Sequence, residues 1–245
     1  MLRWFFTYED KIPPDAGFAL FGWQHLLWLA ALAAAGLCIW RRLRALPRAR
    51  ALAATRRLAV CLVALEGLRL IVLRLMGALS VYELPLHLCA LAGFLCLTDA
   101  LTGWRWTGET LYALCLPGTF GALLFPNWTR YPAIHFCSVQ SFLFHGGLAL
   151  YILCRLGLGA IQPSPRRAWQ PLLFLAVVTP PIYLFDKAFD ANYFFVNGAS
   201  PGSPLVWIEQ RFGRTGYLAG FAVLMLLVLL LMYGIWARYS RRRRA

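Results

Sequence analysis

Long apolar runs separated by short polar segments dominate the chain. Seven such runs can be drawn, at about 18–40, 58–79, 84–101, 110–125, 133–156, 169–185 and 215–236. Most of them approach the roughly 20 residues that a helix needs to cross a hydrocarbon core of about 30 Å. Backbone polar groups find no water in that core, so each run is predicted to be helical. The pattern predicts an all-α, polytopic membrane protein whose residues 1–245 form a single seven-helix domain.

Composition and charge support this class. Apolar residues make up 60% of the chain, and the formal net charge is +14. The arginines concentrate at 41–57, 155–167 and 238–244, between or after the apolar runs, and no nucleic-acid-binding motif accompanies them. We therefore expect these arginines to face lipid headgroups, and we expect no nucleic-acid partner. The seven cysteines all fall in apolar runs, which is typical of small buried residues and not of a disulfide framework.

The arginine groups also predict an orientation. With seven spans, all three groups lie on one side, and the positive-inside rule makes that side cytoplasmic. The N-terminus is then outside, and the basic tail 238–245 is inside, as expected for a multi-pass protein of the cell membrane. One loop, 186–214, is long, lies on the outer side and carries Asn192. A long loop among short ones is often functional, although a plain connector is the simpler interpretation.

Ionisable residues inside apolar runs are the first candidates for function, because they are costly in a membrane. The second run carries Glu66, Arg69 and Arg74. Glu66 and Arg69 are three residues apart, close enough on a helix to pair and neutralise each other. The alternative is that Arg69 and Arg74 bind an anionic headgroup, since guanidinium matches the geometry of phosphate.

The third run opens with a histidine, His87, followed two positions later by Cys89. A histidine here is a candidate general base, metal ligand or structural hydrogen-bond donor. Residues two apart are about 200° apart around a regular helix, so His87 and Cys89 are not expected to share a face unless Pro85 distorts the first turn. Cys89 is otherwise expected to be a small apolar filler.

The fifth run carries a polar stripe. Ser138, Ser141 and His145 follow helical spacing on one face, and Gln140 is adjacent. Such a face is expected to point into the bundle, either for hydrogen bonds between helices or for acid–base chemistry at His145.

The two remaining histidines, His25 and His135, are candidates for lining the same site, because all four histidines fall in the outer half or the middle of the predicted bundle. A zinc site made of His25, His87 and His135 is an alternative, but the chain has no His-Glu-x-x-His signature. We therefore predict no bound metal and no cofactor.

Three short motifs carry a resemblance to a known family. They are Leu84-Pro85-Leu86-His87-Leu88-Cys89, then 121–126 (Gly-Ala-Leu-Leu-Phe-Pro), then 192–195 (Asn-Tyr-Phe-Phe) before a loop rich in Gly, Pro and Ser. In these motifs, and in the number and order of its helices, the chain resembles the YwaF family of bacterial integral membrane proteins, which is grouped with vertebrate transmembrane protein 164.

The resemblance implies an acyltransferase that moves fatty acyl chains between phospholipids, as described for the vertebrate branch. The nucleophile proposed there is a cysteine directly before the histidine, in Pro-Cys-His. Here the sequence is Pro85-Leu86-His87, and Leu86 has no nucleophilic atom. Either Cys89 acts instead, or His87 or His145 activates a water or a lipid hydroxyl, or the bacterial branch carries out different chemistry. Asn192 matches the family's motif, but the resemblance implies no role for it.

Three hypotheses follow for the function. The first is an enzyme acting on membrane lipids, with His87 and His145 as acid–base groups and Arg69 and Arg74 as headgroup anchors. The second is a transporter or channel, with Glu66 and two histidines along a pathway. The third is a non-catalytic scaffold whose polar groups only join helices. The sequence favours the first hypothesis.

Overall fold

A computed structural model describes residues 2–242 of the chain, and within that range the regular structure is helical, with no strand. Seven helices follow one another: α1 (Trp23–Arg44), α2 (Arg48–Leu75), α3 (Leu88–Thr102), α4, α5 (Phe136–Gly157), α6 (Trp169–Phe189) and α7 (Leu205–Arg242). Helix α4 is continuous but has three parts, Arg105–Thr110, a π-helical stretch Leu111–Cys115, and Leu116–Leu124. The predicted all-α class is confirmed, and each apolar run overlaps one helix.

Among residues 2–242, four segments are long and apolar enough to cross a membrane, namely Trp23–Arg44, Phe136–Gly157, Pro165–Phe189 and Leu205–Arg241. Helix α3 is also apolar, but it has only 15 residues. Helix α2 is long, but charged residues lower its hydropathy, and the π-helical stretch divides α4. The four long apolar segments are therefore candidate membrane spans by length and composition.

Three helices begin later than predicted, and each difference moves a histidine. Helix α1 begins at Trp23 and not at residue 18, because the chain turns at Phe21, which has a left-handed φ of 55°, and Gly22 precedes the helix. His25 therefore lies in the first turn of α1. A helix that began at residue 18 would have placed His25 closer to its middle. Helix α3 begins at Leu88 and not at residue 84, which makes His87 its N-cap. Helix α5 begins at Phe136 and not at residue 133, which makes His135 its N-cap.

The loop predicted to lie on the outer side, which we call the outer connection after that prediction, is shorter than predicted. Helix α6 continues to Phe189 and α7 begins at Leu205, so the connection covers 190–204 and not 186–214. Helix α7 is interrupted at Gly213, whose φ of 66° is readily adopted only by glycine. At its other end α7 continues to Arg242, while Arg243 and Arg244 of the predicted basic tail lie outside the described residues.

Helix α5 lies at the centre of the bundle. Half of its most apolar stretch is buried (50%), against 6% for α1 and 11% for α7. Two glycines allow the close packing: a Cβ on Gly157 would collide with the Trp40 ring of α1, and one on Gly147 would lie 2.8 Å from Leu62 of α2. Small residues at such contacts are typical of helices packed in membranes.

The N-terminal segment packs along the connection between α4 and α5. The Phe18 N–H donates to the Thr129 carbonyl at 3.0 Å, and the Phe136 N–H donates to the Phe5 carbonyl at 3.1 Å. This segment brings Tyr8 to the α2–α3 connection, where the candidate site lies.

Candidate active site

The site is organised around the segment that connects α2 to α3. Pro85 favours an extended conformation at Leu84, and the Leu86 N–H donates to the Leu84 carbonyl at 2.8 Å in a tight turn. His87 follows in an extended conformation (φ −65°, ψ 150°) as the N-cap of α3. Because His87 is outside the helix, the angular separation from Cys89 that a regular helix predicts does not apply. Both residues are of intermediate exposure.

Arg69 binds two carboxylates. Its Nε and Nη2 atoms donate to Glu66 at 2.8–3.2 Å, and its Nη1 donates to Glu83 Oε2 at 2.8 Å. A further bond joins Nη2 to the Glu83 carbonyl oxygen, also at 2.8 Å. An arginine has five N–H donors, so one hydrogen on Nη1 is left over. The pairing of Glu66 with Arg69 agrees with their spacing, and Glu83 is an additional partner from the connecting segment.

Two more side chains bond to these carboxylates. The Tyr8 hydroxyl donates to Glu83 Oε1 at 2.8 Å, and the Gln140 amide is 3.4 Å from Glu66 Oε2. Burial and the bond to Glu83 raise the pKa of Tyr8, so its hydroxyl stays protonated and acts as the donor. We call Tyr8, Glu66, Arg69, Glu83 and Gln140 the Arg69 cluster. It joins the N-terminal segment, α2, the α2–α3 connection and α5.

The outer connection between α6 and α7 covers His87. The Tyr193 hydroxyl donates to the Val81 carbonyl at 2.7 Å and accepts from the Leu84 N–H at 2.8 Å. Its ring meets the His87 imidazole edge to face at 4.8 Å between centroids, and the Phe195 ring lies 5.5 Å from the imidazole. Burial raises the pKa of Tyr193 to about 12. The phenol therefore keeps its proton, and the outer connection stays attached to the segment before α3.

In two of the four histidines, both ring nitrogens form hydrogen bonds with backbone groups. For each, one ring nitrogen accepts from an N–H and the other lies within hydrogen-bond distance of a carbonyl oxygen. His25 bonds to Phe21 and Leu123, and His135 bonds to Cys137 and Thr7. A carbonyl only accepts, so both rings carry their proton on Nε2. These bonds join chain segments, and no hydrogen bond, ion pair or ring contact among residues 2–242 links His25 or His135 to Arg69.

The other two histidines have free ring nitrogens. His145 bonds through Nδ1 to the Ser141 carbonyl at 2.7 Å, so Nδ1 carries the proton and Nε2 is left as an acceptor. Its ring stacks on Trp128 at 5.1 Å. His87 makes no hydrogen bond through either nitrogen to any residue of the described chain. Both Arg69 and His145 lie within electrostatic range of the His87 ring. The structure thus brings His87, His145, Arg69 and Glu66 into one region.

The remaining candidates have different surroundings. Cys89 lies within electrostatic range of Glu66 and Arg69, which places it beside the cluster. Arg74 is exposed and has no hydrogen bond or ion pair with another described residue. Asn192 stabilises the outer connection, since its amide donates to the Gly198 carbonyl at 3.0 Å and its oxygen accepts from the Asn197 N–H at 3.0 Å.

Sequence reasoning missed two buried ion pairs at the opposite end of α3. Arg155 donates to Asp99 at 2.9 Å, and Arg167 donates to Glu109 at 2.6 Å. Both carboxylates are buried, with side chains 2% and 1% exposed. The same cost argument that singled out Glu66 applies to Asp99 and Glu109, and could have identified them from the sequence.

Comparison with known proteins adds one match. A family model described as TMEM164 family matches residues 20–233. The chain belongs to the TMEM164 family. No curated protein and no solved structure matches the chain significantly. Together with the apolar helices, the family makes this chain an integral membrane protein, and the match covers the whole Arg69 cluster except Tyr8.

This TMEM164-family protein carries Leu86 before His87, and a leucine side chain has no nucleophilic atom. No group of three or more His, Cys, Asp or Glu side chains within residues 2–242 is arranged to hold a metal ion. His25, His87 and His135 are therefore not gathered into the alternative zinc site.

Proposed function

We propose that this protein is a membrane enzyme that transfers an acyl chain between phospholipids, with its site in the outer half of the bilayer. One observation carries the proposal: of the four histidines, His87 is the one whose ring nitrogens make no hydrogen bond within the described chain. Its surroundings are nevertheless tightly ordered by Arg69 and Tyr193. An ordered imidazole with free nitrogens is suited to acid–base chemistry.

The proposal includes a topology. Seven spans, with the N-terminus outside and the arginine-rich C-terminus in the cytoplasm, put His87 toward the outer side. The arginines at 41–57, at 155–167 and after 237 then share one side. A reporter fused after Ala245 is expected to be active in the cytoplasm. Exposure of that reporter on the outer side would reverse the assignment of the site to the outer leaflet.

In the proposed reaction, His87 accepts the proton of a lysophospholipid hydroxyl. The hydroxyl oxygen attacks the ester carbonyl carbon of a donor phospholipid, and the old ester bond breaks. The leaving glycerol oxygen takes the proton back from the imidazolium, so no other reactant is consumed. Arg69 acts as a positioning residue, because its bonds to Glu83 order the segment that presents His87. His145, with Nε2 free, is the second acid–base candidate.

The test uses purified protein in lipid nanodiscs with a labelled donor phospholipid and a lysophospholipid. Wild type is expected to form labelled product, and His87→Ala is expected to lose about 100-fold or more of the rate, the range for a general base. Because His87 makes no hydrogen bond in the described chain, the variant loses only the ring contacts with Tyr193 and Phe195, and its free energy of unfolding is expected to fall by about 0.5–1.5 kcal/mol. The absence of transfer by wild type, or equal rates for both proteins, would remove the proposal.

The thiol route has its own comparison. Cys89→Ala tests whether the thiol is the nucleophile, and Cys61→Ala is the matched control, because Cys61 is exposed on α2. Loss of transfer in Cys89→Ala alone would assign the covalent step to Cys89. Retained transfer supports direct attack by the lipid hydroxyl.

The transporter alternative is tested in the same preparation. Solute or ion flux into proteoliposomes without any acyl transfer would favour it over the enzyme. Flux is not expected along Glu66, because Arg69 and Gln140 already occupy its carboxylate.

A further inference from the structure

A second polar site lies at the other end of α3. A cavity of about 290 Å³ lies between the end of α3, the start of α4 and the α5–α6 connection. Charged side chains of both signs line it: Asp99, Arg105, Glu109 and Arg167. Asp99 is twelve residues along the chain from His87, about 18 Å at the helical rise, so this cavity is separate from the candidate active site.

Three charged side chains of the lining keep a hydrogen-bonding atom available to a ligand. Asp99 is 2% exposed, and its Oδ2 accepts from Tyr151 at 2.7 Å and Arg155 at 2.9 Å, while its Oδ1 has no partner among residues 2–242. Arg105 is exposed and makes no hydrogen bond or ion pair with another described residue. Arg167 uses Nε and Nη2 for Glu109 and the Gln162 carbonyl, which leaves Nη1 unused.

The Glu109 carboxylate, in contrast, is fully occupied. It accepts from Arg167, from the Ser164 N–H at 3.0 Å and from the Tyr233 hydroxyl at 2.7 Å. The cavity thus offers guanidinium donors from two arginines and one free carboxylate oxygen. Guanidinium binds phosphate, and a carboxylate oxygen binds an ammonium N–H.

An open groove adjoins the cavity. It has a volume of about 480 Å³ and shares Ile161, Gln162 and Arg167 with the cavity. Beyond these, its wall includes Leu156 and Trp236. Tryptophan is enriched at the level of lipid headgroups. A charged cavity that opens into a partly apolar groove fits an amphiphile better than a fully soluble ligand.

We propose that this cavity binds the headgroup of a phospholipid that carries a primary ammonium beside its phosphate, as in phosphatidylethanolamine. The phosphate lies against Arg105 and Arg167, the ammonium donates to Asp99 Oδ1, and the glycerol and acyl part follow the groove. The presence of both charges favours a zwitterionic headgroup over an anionic one. This site is independent of the acyl-transfer proposal, since it lies at the opposite end of α3 and its binding needs no chemistry.

The test measures lipid retention by native mass spectrometry on the full chain in detergent micelles containing one added lipid. Phosphatidylethanolamine is expected to be retained more tightly than phosphatidylglycerol. Along the methylation series, retention is expected to fall at the last step, to phosphatidylcholine, because the mono- and dimethylated ammonium groups still carry an N–H for Asp99 Oδ1 and the trimethylated group carries none. Arg105→Gln is expected to weaken retention about tenfold, the effect of one charged hydrogen bond. Arg50→Gln is the matched control, because Arg50 is also exposed and lies outside the cavity.

Arg105 has no partner in the described chain, so its variant is expected to fold, and the methylation series needs no variant at all. Equal retention across that series, tighter retention of phosphatidylglycerol, or equal effects of Arg105→Gln and Arg50→Gln would overturn the proposal. A second experiment uses water-soluble glycerophosphoethanolamine as a competitor of bound phosphatidylethanolamine. Competition as strong as that of the intact lipid would show that the groove contributes nothing, and would overturn the assignment to a lipid.

Discussion

Replacing Arg69 by glutamine is expected to destabilise the bundle strongly. The side chains of Glu66 and Arg69 are 6% and 17% exposed, so the pair is mostly shielded from water. Without the guanidinium, Glu66 keeps only the Gln140 amide at 3.4 Å. Removing one partner of a buried ion pair costs about 3–5 kcal/mol, because the other charge stays buried without compensation. The partial exposure of Arg69 favours the lower end, about 3 kcal/mol.

The measurement is the apparent melting temperature in detergent micelles. For a chain of this size, 1 kcal/mol corresponds to roughly 2–4 °C, so Arg69→Gln is expected to melt about 6–12 °C below wild type. The double variant Glu66→Gln/Arg69→Gln removes the uncompensated charge and is expected to recover at least about half of that loss. Arg74→Gln, an exposed arginine on the same helix, is expected to stay within about 0.5 kcal/mol of wild type. The reasoning fails if Arg69→Gln melts like Arg74→Gln, or if the second substitution restores nothing.

Two further predictions test how the bundle is held together. Tyr193→Phe removes the acceptor of the Leu84 N–H, so hydrogen exchange at the Leu84 amide is expected to become faster, and unchanged exchange would contradict that bond. Gly157→Ala introduces a methyl group against the Trp40 ring and is expected to lower the free energy of unfolding by about 1–3 kcal/mol. Gly121→Ala is the control, because its new Cβ would have nothing within 4 Å, and it is expected to leave the melting temperature unchanged or raised. Equal melting temperatures for the two variants would refute the packing argument.

The helices were predictable because apolar periodicity and length reflect a local requirement. Every run long enough to cross a bilayer must satisfy its own backbone, and it does so as a helix wherever it lies. The pairing of Glu66 with Arg69 was predictable for the same reason, since both belong to one helix. Boundaries were less predictable, because the start of α3 depends on how Pro85 and the outer connection arrange the segment before it.

The sequence could not predict which histidines bond to the backbone and which keep a free ring nitrogen. His25 and His135 looked as functional as His87, because an imidazole in an apolar run carries the same cost whichever group it bonds to. What separates them is the backbone of distant segments, such as the Leu123 and Thr7 carbonyls, at 98 and 128 positions away in the chain. Glu83 was overlooked in the same way, since it lies in the α2–α3 connection and its partner Arg69 lies in α2, 14 positions earlier.

The shortness of α3 has a consequence for the membrane itself. Fifteen residues rise about 22 Å, whereas the hydrocarbon core is about 30 Å thick. On the proposed topology, the bilayer must therefore become thinner beside this helix. Each ångström of such mismatch costs a fraction of a kcal/mol, and a thinner bilayer removes that cost. The conformation around His87 is then coupled to the acyl chains of the surrounding lipids. An enzyme that exchanges those acyl chains changes the local bilayer thickness, and its own conformation would respond to that change.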